Sequence, residues 1–205
     1  VFNASSIYGG LRSSYDYGPL GVLLKNNIEK MWWKSISNLE VEIYPIDTAI
    51  IQSSDVWKAS GHVGEFTDPM VDHKPTGERF RADQVPDHIK KEDLTEPRQF
   101  NLMFQTNIGP VENENSTVYL RPETAQGIFV NFENVLRTMR AKIPFGIGNI
   151  GKSFRNEITP GQFIFRTREF EQMEIEFFCD KSEEDKWFDF WIENRLDWYK
   201  NLGIP

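Results

Sequence analysis

SFRNEITPGQFIFRTREFEQMEIEFF, running from Ser153 to Phe178, decides how this chain folds. The run that enters it, Gly146 to Glu157, reads as a strand with a charged exit. Ile158 to Phe163 is a loop punctuated by Pro160-Gly161. Glu169 to Phe178 then alternates, with Phe170, Gln172, Glu174 and Glu176 on one side and Glu171, Met173, Ile175 and Phe177 on the other. Period-two alternation over that length predicts a strand whose two faces differ chemically. The first face carries an aromatic ring followed by an amide and two carboxylates. A sheet strand places carboxylates inward where they bind something, because an unpaired buried charge is costly. Arg155, Arg166 and Arg168 add their charges around the loop. One hairpin therefore presents arginines, carboxylates and an aromatic ring together. That set suits a nucleotide: guanidinium forks for phosphates, a ring face for a base, a carboxylate for an exocyclic amine.

Outward from the hairpin, Val118 to Glu123 predicts a strand running into a helix start. Thr124 to Arg140 carries Ile128, Phe129, Phe132, Val135, Leu136 and Met139 at helical spacing. Glu123 thus stands at a strand-to-helix junction, where its charge also suits a helix N-terminus. Pro97 to Phe104 reads as a strand and Asn113 to Thr117 as a turn. Pro19 to Ser37 is an amphipathic helix with its proline in the first turn and Leu20, Leu23, Leu24, Asn27, Ile28, Met31 and Trp32 on its apolar side. Val41 to Ile51 reads as a strand segment, and Trp57 to Met70 as a glycine-rich connection in which the lone His62 is a hydrogen-bonded structural residue. After the hairpin, Ser182 and Asp185 have the spacing of a capping box. A helix follows to Asn201, with Trp187, Phe190, Trp191, Leu196 and Trp198 as its apolar side.

Strands and helices come in mixed order with hairpin connections. The run Gly146 to Ser153, GIGNIGKS, spells both glycine-rich nucleotide signatures, but it reads as part of a strand and not as a turn between a strand and a helix, which argues against a Rossmann or P-loop site. An α+β fold, an antiparallel β-sheet flanked by helices, is the expectation. The 205 residues, 39% hydrophobic and 14% aromatic, can bury a core. No apolar run approaches the roughly 20 residues of a membrane helix, so no membrane partner is expected. A net charge of −8 argues against a protein that coats nucleic acid generally, while leaving room for a local basic cleft. The single cysteine, Cys179, suits a reducing compartment. His73 and His88, with no cysteine nearby, cannot make a closed four-ligand metal site, so no resident metal is expected.

The hairpin resembles motif 2 of the class II aminoacyl-tRNA synthetases. That family's Phe-Arg-x-Glu is met by Phe154-Arg155-Asn156-Glu157, its Arg-x-x-x-Phe by Arg166 to Phe170, and the acid four residues on by Glu174. The stretches RPETAQGIFVNF (121–132) and FRTREFEQMEIEFF (165–178) resemble the homodimeric glycyl-tRNA synthetases in particular. The helix and strand from Pro19 to Ile51 resemble motif 1, which builds the dimer interface, although Ser53-Ser54 stands where that motif usually ends in proline.

The resemblance implies the class II catalytic fold, with 1–205 as an N-terminal part of the catalytic domain and about 60–100 as an inserted or connecting region. Motif 3 and the anticodon-binding domain would lie further along a longer protein. It implies a glycine–tRNA ligase: glycine and ATP give glycyl-adenylate and pyrophosphate, and the adenylate acylates the 3' end of tRNA-Gly. It implies Arg155 as the catalytic arginine on the α-phosphate. An ATP site would be drawn from Arg155, Asn156, Glu157, Phe165, Arg166, Thr167, Arg168, Glu169 and Phe170, with Mg2+ sharing the phosphates. A glycine site would be drawn from Arg81, Glu123, Phe170, Glu171, Gln172, Met173 and Glu174. Arg166 would hold the ATP tail, Phe170 would stack on adenine, and Glu157 would accept from the exocyclic amine. A homodimer in the cytoplasm is expected. Two further readings stand beside it: a class II synthetase for another small amino acid, and a non-catalytic synthetase-like nucleic-acid-binding subunit.

Overall fold

The computed structural model describes residues 1–110 and 116–204; most of the turn expected from Asn113 lies outside them. In chain order the elements are β1 (Phe2–Asn3), β2 (Tyr15–Asp16), α1 (Pro19–Ser37), β3 (Glu42–Ile46), β4 (Ile51–Gln52), α2 (Ser54–Ala59), α3 (His62–Glu65), β5 (Thr67–Asp72) and β6 (Arg79–Arg81). There follow β7 (Arg98–Asn101), β8 (Phe104–Asn107), β9 (Thr117–Leu120), α4 (Ala125–Val130), α5 (Phe132–Met139), β10 (Phe145–Phe154), β11 (Glu169–Phe178) and α6 (Glu184–Asn201). The content is α+β. It divides into a first unit, Val1–Tyr17, Ala49–Glu123 and Lys152–Glu171, and a second unit, Gly18–Thr48, Thr124–Gly151 and Gln172–Pro205.

The second unit is built on the sheet β11-β10-β3. Side chains alternate across a strand, and here each face has its own cover. Phe145 and Ile147, both fully buried, pack on one face with Tyr44, Ile46 and Phe178 against Ile128, Phe132, Val135 and Leu136 of α4 and α5. Ile43, Ile150, Met173 and Ile175 pack on the other against Trp32, Trp33 and Ile36 of α1 and Trp191 and Trp198 of α6. Gly148 lets the indoles close on this second face: a Cβ there would stand 3.1 Å from the Trp33 ring and 3.5 Å from Trp32. Antiparallel pairing, expected from hairpin connections, holds in β4-β9-β8 and β6-β5-β7. The β10–β3 pair is parallel, Phe145 opposite Glu42 through Asn149 opposite Ile46. A parallel pair needs a long crossover, and its partner could not be found by reading neighbouring segments.

The first unit carries the antiparallel sheets β6-β5-β7 and β4-β9-β8 and a core of Trp57, Met103 and Tyr119, joined by Val56, Val63 and Phe66. The stretch expected to be a connection folds as α2 and α3, because Trp57 is fully buried and organises both. Ser53 caps α2 by accepting from the Asp55 N–H at 3.3 Å, which gives the Ser53-Ser54 departure a structural use. Asn101 donates to the carbonyls of His62 and Val63 at 3.1 and 2.8 Å and accepts from the Met103 N–H at 2.8 Å.

Several sequence expectations need correction. The strand expected over Val41 to Ile51 is two, β3 and β4, which join different sheets. The strand expected over Pro97 to Phe104 breaks at Leu102–Met103, where β7 ends and β8 begins. The helix expected over Thr124 to Arg140 is interrupted at Asn131, whose side chain donates to the Gly127 carbonyl at 2.9 Å and accepts from Asn134 at 3.1 Å. No capping box forms at Ser182. Its N–H and hydroxyl both donate to Asp180, at 2.9 and 2.6 Å, and α6 starts two residues later without a side-chain cap. Leu196 is exposed, as are Leu20, Leu23 and Leu24, so the apolar side of α1 enters the core only from Ile28 onward.

Phe145 tests the packing. Its ring lies 5.6 Å from Phe132 at an interplanar angle of 19° and 5.5 Å from Phe178. Truncating a fully buried phenylalanine removes its transfer energy and leaves a cavity. Phe145→Ala should lower the stability of the protein by about 3–5 kcal/mol in urea unfolding; a loss under about 1 kcal/mol would show that this ring is not central to the core.

Candidate active site

The hairpin of β10 and β11 leaves the sheet with its backbone anchored at each step. Phe154 donates to the Arg121 carbonyl at 2.9 Å, Arg155 to the Arg168 carbonyl at 2.9 Å and Asn156 to the Leu102 carbonyl at 2.8 Å. These bonds fix where the Arg155 side chain departs. Its Nε donates to the Pro122 carbonyl at 3.1 Å. Its guanidinium carbon lies 5.2 Å from the centre of the Phe170 ring and 5.6 Å from that of Phe66, within cation–π range of both. Among the described residues, its terminal nitrogens have no hydrogen-bond or ion-pair partner. The arginine is thus held at its base and by two rings, with its fork available for an anion.

Glu157 is the hub of the hairpin and is only 8% exposed. Its N–H donates to the Arg155 carbonyl at 2.7 Å. Its carbonyl accepts from Arg168 Nη2 at 3.1 Å. Its Oε2 accepts from Arg166 twice, from Nη2 at 2.8 Å and Nε at 3.1 Å. Arg166 Nη1 also reaches Gln84 at 3.4 Å, and Gln84 accepts from Thr159 at 3.2 Å. In this arrangement the two groups expected on ATP, the Glu157 carboxylate and the Arg166 fork, bond to each other.

A second charged group stands on β6. Arg81 donates through Nε and Nη2 to the Asp83 carboxylate, both at 2.9 Å, and its Nη1 lies 3.2 Å from Asp68. The bonds to Asp83, reinforced by the negative charges of Asp68, Asp83 and Glu157, raise the Arg81 guanidinium above its ordinary value against the opposing effect of burial. In return the Arg81 hydrogen bonds hold the Asp83 carboxyl below the usual range, with a smaller contribution from Arg166. Asp68, Arg81, Asp83, Glu157 and Arg166 are therefore electrostatically linked. At the junction after β9, Glu123 Oε1 lies 3.4 Å from His62 Nε2, and His62 Nδ1 lies 2.9 Å from Ser60 Oγ. Trp57 and Phe66 pack on the same imidazole, at 5.6 and 5.2 Å.

Of the residues expected at an ATP site, Arg155, Glu157, Arg166, Arg168 and Phe170 come together. Asn156 enters through its backbone. Glu169 pairs with Lys152, and the Thr167 hydroxyl donates to the Glu169 carbonyl at 2.7 Å. Phe165 is 87% exposed at the tip. Of those expected at a glycine site, Arg81, Glu123, Phe170 and Glu171 belong to the first unit, and Gln172, Met173 and Glu174 to the second. Met173 packs in the core of the second unit. The Glu174 carboxylate accepts a hydrogen bond from the hydroxyl of Thr124. Sequence reasoning did not find Phe66, Gln84, Asp68, Asp83, Thr124 or the His62–Glu123 pairing. None of these lies beside the hairpin in sequence, so reading neighbouring residues could not bring them to it. Among the described residues no three His, Cys, Asp or Glu side chains are grouped so as to hold a metal ion.

Comparison with known proteins adds the following. Residues 104–205 match the family model of the class II tRNA synthetase core domain that serves G, H, P, S and T. All of the chain aligns with a glycine–tRNA ligase of Caldanaerobacter subterraneus at 51% identity, covering 51% of that protein. It aligns likewise with one of Treponema denticola at 50% identity, covering 47% of it. The chain thus spans about half the length of the curated relatives it matches. Among solved structures, a threonyl-tRNA synthetase domain from Cryptosporidium parvum superposes with a TM-score of 0.65 at 21% identity, over 93% of this chain and 38% of that one. An ATP phosphoribosyltransferase regulatory subunit/histidyl-tRNA synthetase from Bacillus halodurans does so with a TM-score of 0.54 at 16% identity, over 92% and 36%. At those identities the two structures speak for the fold alone.

The Glu157–Arg166 bond generates a stability test. Removing the guanidinium leaves a carboxylate with little access to water, and a hydrogen bond to a charged group is worth about 1.5–3 kcal/mol. Lys152–Glu169, whose side chains are 48% and 53% exposed, is a surface pair worth about 0–1 kcal/mol. Arg166→Ala should therefore lower the urea midpoint clearly more than Lys152→Ala. Equal effects would remove Glu157 as the hub of the hairpin.

Proposed function

The chain belongs to the class II tRNA synthetase family, and from this we propose that it is part of the catalytic domain of a glycine–tRNA ligase. The observation that carries the proposal is Arg155: anchored at Nε by a carbonyl, gripped by Phe66 and Phe170, and with its fork unpaired among the described residues. Relatives named as glycine–tRNA ligases at about half identity support the choice of amino acid.

The reaction needs no side-chain nucleophile, because the glycine carboxylate attacks the α-phosphate of ATP itself. The bond from the α-phosphorus to the bridging oxygen breaks, pyrophosphate leaves, and glycyl-adenylate remains. The terminal ribose hydroxyl of tRNA-Gly then attacks the carbonyl carbon of glycine, and AMP leaves. Catalysis rests on orientation and on donors aimed at developing charge. Arg155 donates to the α-phosphate, where negative charge accumulates. Phe170, which already lies against that guanidinium, offers its ring to adenine. Arg166 holds the outer phosphates after exchanging Glu157 for them. The freed Glu157 carboxylate then accepts from the exocyclic amine of adenine. Arg168 and Asn156 line the same stretch of hairpin. Magnesium enters with the nucleotide as MgATP, coordinated by phosphate oxygens and water.

Glycine has no side chain to grip, so its ammonium must supply the affinity. Glu123 and Glu174 are the carboxylates assigned to it, with Arg81, Glu171 and Gln172 in supporting positions and Met173 contributing packing. Discrimination follows from leaving no room beyond the α-carbon, since every other amino acid is larger. The exposed Leu20, Leu23 and Leu24 of α1 form the apolar face on which we place the homodimer contact. Among the described residues no helix is long and apolar enough to cross a membrane, and the free Cys179 suits the cytoplasm.

The test is Arg155→Ala in the full-length protein. Loss of one donor to transition-state charge costs about 10²–10³ in rate, so glycine-dependent ATP–pyrophosphate exchange should fall by about that factor with the melting temperature little changed. Normal exchange in a folded Arg155→Ala protein would sink the assignment of this hairpin to ATP.

A further inference from the structure

Thr124 occupies the N-cap position of α4, yet its side chain makes no cap bond to that helix. A threonine there ordinarily accepts from a backbone N–H two or three residues on. This one is fully buried and turns its hydroxyl toward β11, where it donates to Glu174 Oε2. Both residues lie in the second unit. Among the described residues Thr124 is the only hydrogen-bond partner of the Glu174 side chain. A glutamate on a strand has three side-chain torsions, and its terminal one is broad. The bond to Oε2 fixes that torsion and leaves Oε1 to accept from another donor. The donor is itself immobile. Thr124 has no exposed surface, and the turn that follows is tightly packed: a Cβ on Gly127 would stand 2.4 Å from the Thr48 hydroxyl. Thr48 in turn accepts from the fully buried Asn149 of β10 at 2.8 Å.

We propose that Thr124 is a positioning residue for amino-acid recognition: its hydroxyl sets the orientation of the Glu174 carboxylate that receives the glycine ammonium. The proposal rests on the reading of Glu174 as a glycine ligand. A hydroxyl serves better here than a cation. It fixes the carboxylate without neutralising it, so the full negative charge remains for the ammonium.

Steady-state ATP–pyrophosphate exchange with the full-length protein tests it through three variants. Thr124→Val is nearly isosteric and removes the donor; Thr124→Ser keeps it; Glu174→Gln removes the charge. Thr124→Val should raise the KM for glycine about tenfold, the size expected from losing a hydrogen bond to a charged group, with the KM for ATP unchanged. Thr124→Ser should restore the wild-type KM for glycine even if it lowers the melting temperature. The double variant Thr124→Val/Glu174→Gln should be no worse for glycine than Glu174→Gln alone, because residues acting as a unit are not additive. If the valine variant does not fold, Thr124→Ala replaces it. If Glu174→Gln raises the KM for glycine and the Thr124 variants do not, Thr124 is a packing residue and the proposal fails by itself. A rise in both KM values that serine does not rescue has the same meaning. If Glu174→Gln leaves the KM for glycine unchanged, the glycine reading of Glu174 fails, and the role of Thr124 falls with it.

Discussion

The first unit depends on one buried carboxylate. Glu157 gathers the hairpin by three routes: its N–H to the Arg155 carbonyl, its carbonyl from Arg168, and its carboxylate from Arg166. Arginines crowded into one loop repel one another and would leave for solvent unless each found a partner. Glu157 partners two of them directly. The third, Arg155, is restrained by a carbonyl and two aromatic faces instead, which hold a cation without cancelling its charge. The outcome is a graded set of cations, with Arg166 bonded to a carboxylate and Arg155 fixed with its fork unpaired among the described residues. On the proposed reading, such preorganisation serves a phosphoryl site without a covalent nucleophile.

The second unit solves a different problem, how to keep a carboxylate on a sheet that is covered on both faces. The strand β11 turns Met173 and Ile175 into the tryptophan-rich core and Phe178 into the phenylalanine cluster. Glu174 remains between these apolar contacts, half-buried, and receives a hydroxyl rather than a guanidinium. The same alternation governs β10, where Phe145 and Ile147 fill one face and Gly148 gives the other to the indoles. Side chains on well-packed strands can be held within small tolerances, and in the second unit both faces of these two strands have apolar cover.

Much of this was legible in the residues. The bounds of α1 follow from a proline in the first turn and an apolar stripe, and those of β11 from strict alternation. Alternation also separates Met173 from Glu174, and the two side chains do go to opposite faces. The rest was decided by tertiary partners. The apolar run from Val41 to Ile51 carries no mark of its division, because β3 is claimed by β10 and β4 by β9. Helical periodicity passes straight through Asn131, whose amide competes locally with the backbone and splits α4 from α5. The partners of the arginines escaped for the same reason. Phe66, Gln84 and Pro122 are far from the hairpin in sequence and meet it only after folding.

The central claim is that these residues belong to an enzyme that activates glycine with ATP. Amino-acid-dependent ATP–pyrophosphate exchange, run on the full-length protein with each standard amino acid in turn, tests it most directly. Glycine alone should support exchange. Exchange with serine, alanine or another amino acid and none with glycine would contradict it.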